Sequence, residues 1–123
     1  MRTIKSISIS VNAGIDFYLL LGDFLDEYYA AGQAQEARMV AEPPEGMAQR
    51  EQLPFLAAAA HKLCNDDGLV PPPWVFEDRC YLRGKPFFAC NAAGSLRLLF
   101  MYKSPIEFKH RNLFVDENAL ARV

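Results

Sequence analysis

The chain has no C-x-x-C pair, no G-x-S-x-G, no G-x-x-x-x-G-K-[ST] and no G-x-G-x-x-G. It therefore lacks the paired thiolates of a ribbon-type zinc site, the nucleophile turn of a serine hydrolase and the glycine loops that cradle phosphates. No segment approaches the roughly 18 consecutive apolar residues a membrane span needs. Histidine is scarce, at two residues, and there is one tryptophan. The three cysteines stand at 64, 80 and 90. An odd count, with no basic leader ahead of an apolar run, predicts reduced thiols and a cytoplasmic location. Net charge is low, at −2, which argues against wholesale polyanion binding.

Apolar residues are plentiful, at 51% with nine phenylalanines. A 13.9 kDa chain of this kind buries roughly two thirds of its unfolded surface, so residues 1–123 are expected to form a single domain. The small net charge hides two blocks. Residues 16–51 hold eight acids against two bases, and 79–111 hold seven bases against one acid, Glu107. Opposite blocks in one small domain either face each other, the cheaper arrangement, or serve an outside partner.

Along the chain, Ile7, Ile9 and Val11 alternate with Ser8 and Ser10, the period of a half-buried strand, with Ile4 out of phase. No partner strand follows, so 1–11 is expected to be an extended arm. Asn12 is a candidate cap for a helix in which Phe17, Leu21, Phe24 and Tyr28 share one face, with Gly32 marking its end. Helix formers continue to Pro43-Pro44. Another helix is predicted over 54–64, with Pro54 in its first turn and Asn65-Asp66-Asp67-Gly68 closing it. Pro71 to Pro73 carry Trp74 into a packed loop whose anchors include Tyr81, Leu82, Phe87 and Phe88. A helix resumes at Asn91 or Ser95, and Leu96, Leu98, Leu99, Phe100, Met101 and Tyr102 wrap nearly all round it, the mark of a central buried helix. The result is an all-α compact bundle of about five helices, with a Pro/aromatic loop and a short extended N-terminal arm.

The stretch "SPIEFKHRNLFV" sets a basic cluster in an oily frame. Ser104, Pro105 and Glu107 have the spacing of a capping box with proline in the first turn. Glu107 and Arg111 stand at i and i+4, the order that favours a helix ion pair. Asn112 suits a left-handed stop, and Asp116 suits the cap of a last helix over 117–122. Lys109 and His110 have no such local role.

Few chemical constellations remain. His61 and Cys64, with Cys80, Cys90 and His110, form one loose pair rather than a ligand set, so no metal and no other cofactor is expected. Asp23, Asp26 and Glu27 lie within about a turn of one another, as on any solvated helix face. The seven bases, interleaved with Tyr81, Phe87, Phe88, Phe100, Tyr102, Phe108 and Phe114, keep nucleic-acid binding open but not favoured, since the aromatics fall where a core needs them.

Two resemblances bear on function. Arg111-Asn112, three apolar residues and Asp116 resemble half of the Arg-x4-6-His motif of small helical ribonucleases of the HEPN superfamily, with Asp116 where the histidine belongs. That resemblance implies, as an alternative, an RNA-processing enzyme in which Arg111 holds a phosphate. The last third of the chain, with Trp74, Ser104, Pro105, Phe108, Arg111, Asn112, Phe114 and Val115, resembles small uncharacterised bacterial proteins. In these a Pro-Trp loop, an apolar helix and a Ser-Pro-x-x-Phe-(basic)-Arg-Asn-(Ile/Leu)-Phe-Val segment follow one another. This second resemblance implies a regulatory or antitoxin-like context and no catalytic role. The expectation is a non-enzymatic protein that binds another protein or a second copy of itself. The contact is expected at Lys109, His110, Arg111, Asn112 and Trp74.

Overall fold

Thr3 opens a helix rather than an extended arm. Its Oγ1 accepts the Ser6 N–H at 3.0 Å, and Ser6 Oγ accepts the Thr3 N–H at 2.8 Å, a capping box on helix α1 (Ile4–Asn12). The computed structural model, which describes residues 1–89 and 93–122, thus corrects the arm expected over 1–11. The physical reason lies in Ile4, the residue out of phase with the strand pattern. Ile4, Ile7 and Ser8 stand at i, i+3 and i+4, share one helical face and are buried, while Ile9 is exposed. Ser8 tolerates burial because its hydroxyl donates to the Lys5 carbonyl at 2.7 Å and accepts the Glu45 N–H at 2.8 Å.

Helix α2 (Phe17–Ala30) is capped by Asp16, whose Oδ2 accepts the Leu19 N–H at 2.9 Å. Asn12, the expected cap, instead ends α1 and donates to the Gly46 carbonyl at 3.0 Å. Phe17, Leu21, Phe24 and Tyr28 form the buried face, as their spacing predicts. Helix α3 (Gln33–Ala41) stops before Pro43-Pro44, and α4 (Gln52–Asp67) carries Pro54 in its first turn. Gly68 closes α4 in a left-handed conformation, φ 70°.

The centre of the molecule is α4. Phe55 to Ala60, Leu63 and Cys64 are all buried, and the run Ala57 to Ala60 lets neighbours approach from every side. Against α4 lie two single 3-10 turns, Pro73–Phe76 and Asp78–Cys80, and the short helix α6 (Ile106–Lys109). Trp74 is buried, and its indole N–H donates to the Val40 carbonyl at 2.9 Å. The Pro/aromatic loop is thereby fastened to α3. A two-residue parallel pair, β1 (Phe87–Phe88) with β2 (Leu113–Phe114), joins the loop to the C-terminal segment.

Helix α5 (Gly94–Lys103) occupies the segment expected to be central, but among its residues only Phe100 is buried. The alternative start at Asn91 lies outside the described residues. Residues 117–122 make turns and an irregular tail, not a helix; Asp116 accepts the Asn118 N–H at 2.8 Å within that turn. The tail lies on α2, where Arg122 donates to both carboxylate oxygens of Asp26 at 2.9 and 3.2 Å and Tyr29 Oη donates to the Leu120 carbonyl. One cluster of buried side chains runs from Ile4 to Leu120.

Candidate functional site

The corner between α5 and β2 is organised by hydroxyl and guanidinium groups rather than by helix caps. Pro105, not Ser104, is the N-cap of α6, and no side chain caps it. Ser104 is buried; its Oγ accepts the Val115 N–H at 2.8 Å and donates to the Phe100 carbonyl, which pins the end of α5 to the chain after β2. The expected capping box is absent because α6 is a single turn lying under α4, with Glu107 turned inward. The buried Glu107 carboxylate accepts a hydrogen bond from Asn65 Nδ2 at 2.9 Å, in place of the expected ion pair with Arg111. Asn112 does take the left-handed conformation, φ 65°, and its Nδ2 donates to the Gly84 carbonyl at 3.1 Å.

Arg111 is 1% exposed. Its Nη1 donates to the Glu107 carbonyl at 2.8 Å and faces His61 Nδ1 at 3.2 Å, and its Nη2 donates to the Val75 carbonyl at 2.9 Å. The guanidinium carbon also lies 4.8 Å from the centroid of Tyr81. Three parts of the fold, α4, α6 and the first 3-10 turn, are therefore held by one fork. An arginine only donates, so His61 Nδ1 is the acceptor and its proton sits on Nε2. Burial, then the adjacent Arg111 charge, holds His61 below its ordinary pKa of 6.5. Burial likewise lowers Arg111 from its ordinary value.

The five expected contact residues are thus divided. Trp74 and Arg111 are buried and engaged internally, Asn112 is half-buried at the left-handed turn, and Lys109 and His110 reach the surface. Lys109 Nζ donates to the Tyr102 carbonyl at 2.6 Å, at the C-terminal end of α5. Among the described residues, no three His, Cys, Asp or Glu side chains are placed to hold a metal ion. Burial pushes the Cys64 thiol up to about 11 and raises Cys80, which leaves both poor nucleophiles; Cys90 lies outside the described residues. The α2 acids do not form a cluster. Arg122 takes Asp26, Glu27 accepts from the Arg2 backbone and side chain, and both carboxyls are held below the usual range.

The two charge blocks do not neutralise each other in the manner expected. Arg79 pairs with Glu77, Arg83 with Asp78 and Lys103 with Glu117, all outside the acidic block. Glu27, Asp26 and Glu42 pair with Arg2, Arg122 and Lys5, all outside the basic one.

The feature that stands out on the surface is α5 itself. Leu96, Leu98, Leu99, Met101 and Tyr102 are all exposed, Leu98 at 68% and Tyr102 at 78%, and Ile106 extends the ridge. At its foot a shallow groove of about 180 Å³ runs by Leu99, Phe100 and Asp116. It adjoins, at Asp116, an apolar recess of about 360 Å³ walled by Tyr18, Leu21, Phe55, Val115 and Ala119. Ridge, groove and recess make one apolar surface with basic Arg97, Lys103 and Lys109 along the ridge. Hydrophobicity alone hid this surface in the sequence. The usable signal was side-chain size: α4 has alanine where neighbours crowd it, whereas α5 has bulky residues on all sides, and two bases, which a packed bundle centre does not accommodate.

Among the described residues no helix is long and apolar enough to cross a membrane. Compared with models of known protein families, with curated proteins and with solved structures, the chain matches none.

Proposed function

We propose that this is a non-enzymatic protein-binding protein, a regulatory or antitoxin-like partner, which docks an apolar, acid-bearing protein segment along α5 and its groove. The observation that carries this is the exposure of five bulky apolar side chains on a ten-residue helix with one buried residue. Fully burying a Leu or Met side chain stabilises by about 1.5–3 kcal/mol, so an uncovered ridge of this size forgoes several kcal/mol. Contiguous patches of this kind are the usual mark of an interaction site. The bases along the ridge favour a partner with acids, and Lys109 stands at the ridge's end, where partner contact was expected from sequence.

The rival, an RNA-processing enzyme in which Arg111 holds a phosphate, requires a guanidinium that a substrate can reach. Arg111 is committed to two carbonyls and His61 beneath the surface, which weighs against it. The test is affinity capture from cells of the host with wild type and with Leu98→Asp/Tyr102→Asp. The expected outcome is a specific protein retained by wild type and lost with the variant. Enrichment of nucleic acid with no specific protein overturns the proposal.

A further inference from the structure

We infer that the segment docked on α5 is the acidic α2 of a second copy of this chain, in a reciprocal, two-fold contact. This rests on the protein-docking role proposed for α5 and names its occupant. Both halves of a complementary pair are present in one molecule. Helix α5 carries Arg97 and Lys103 and no acid, whereas α2 with its cap carries Asp16, Asp23, Asp26 and Glu27 and no base. The start of α2 also offers exposed apolar surface, Ile15, Tyr18 and Leu19. Tyr18 and Leu21 of α2 are walls of the 360 Å³ recess, so α2 presents both an apolar seat and an acidic border.

The charge blocks of the chain find their place in this arrangement. Within one copy the basic segment takes its ion-pair partners from Glu77, Asp78 and Glu117, and the acidic segment from Arg2, Lys5 and Arg122. Between copies, α5 laid on α2 brings the two blocks together. A two-fold axis uses both contacts at once and closes the assembly at the dimer, where a one-way contact would propagate into a chain. The apolar ridge supplies the affinity, and the charge match sets which element it meets.

Two variants separate this from other occupants. Leu98→Asp/Tyr102→Asp spoils the donor ridge and leaves the acceptor; Leu19→Arg spoils the acceptor and leaves the ridge. All three positions are exposed, and circular dichroism checks that each variant is folded. Sedimentation over a concentration series is expected to give a dimer of the 13.9 kDa wild-type chain, weakened by added salt. Each variant alone raises the dimer Kd by on the order of 100-fold. Mixed together, the two variants recover association, because one intact ridge meets one intact acceptor.

A wild type that stays monomeric overturns the second-copy occupant. If α5-dependent capture of another protein persists in that case, the docking role stands without it. A dimer that both variants leave intact overturns the occupant, and a capture experiment equally insensitive to the α5 variant overturns the docking role as well. Failure of the mixture to recover association overturns the reciprocal α5-to-α2 contact.

Discussion

Arg111 and His61, fifty positions apart in the chain, meet beneath the surface with Nη1 3.2 Å from Nδ1. The arginine that looked like a reagent is a staple. Replacing it with alanine leaves the Val75 and Glu107 carbonyls and His61 without their donor in a buried site, each an unmet group of about 1–3 kcal/mol. Arg111→Ala is therefore expected to lose about 3–5 kcal/mol and to lower Tm by more than about 10 °C. Arg111→Lys keeps the charge but cannot reach three acceptors in one plane, so it recovers less than half of that loss. A thermal melt within a few degrees of wild type for either variant would show that the fork is dispensable.

The same contact makes stability depend on pH. His61 is neutral in the fold and has its pKa pushed below 6.5, first by burial and then by Arg111; Glu107 opposes the shift and His110 adds slightly to it. The unfolded chain, with His61 near 6.5, binds that proton more readily. The contribution is fully present above pH 6.5 and is lost as pH falls toward the folded value. Urea midpoints are expected to drop between about pH 7 and pH 5, and to drop less in His61→Gln, which cannot be protonated. Equal slopes for the two proteins would place the pH dependence elsewhere.

How far the sequence spoke can be seen helix by helix. Phe17, Leu21, Phe24 and Tyr28 announced α2 because one-sided burial leaves a periodic trace, and Pro54 and Gly68 bracket α4 because each has a backbone preference of its own. Asn112 was legible for the same reason. What stayed hidden depended on tertiary placement. The Ile-Ser alternation of 7–11 fits a strand or a helix, and the Ser8 hydrogen bond to Glu45, thirty-seven residues away, decides for the helix. Glu107 and Arg111 have the spacing of an ion pair, yet α4 supplies each with another partner, Asn65 and His61. Whether α5 lies inside or outside the bundle is a property of the whole fold, not of its own ten residues.

Helix α1 provides a direct check of the N-terminal correction. Ile4 is fully buried in the main cluster whereas Ile9 is about half exposed. Ile4→Ala is expected to cost about 2–4 kcal/mol through lost burial and the cavity left behind. Ile9→Ala, on the opposite face, should cost less than about 0.5 kcal/mol. An extended arm would give the two substitutions similar, small effects, so equal denaturation midpoints would restore the strand-like arm.

Lys109 and His110 separate contact from scaffold at the opposite end of the chain. Both reach the surface, and the one bond Lys109 makes, to the Tyr102 carbonyl, sits at an exposed helix end, where a cation contributes about 0.3–1 kcal/mol. Lys109→Ala/His110→Ala is therefore expected to leave the thermal midpoint within a few degrees of wild type while weakening the complex at α5, because the bases at the ridge's end are what an acidic partner meets. Binding and melting measured on the same preparation distinguish the two roles. A fall in Tm as large as that of Arg111→Ala, with binding lost only in proportion to unfolding, would make this corner scaffold and confine the docking surface to the apolar ridge.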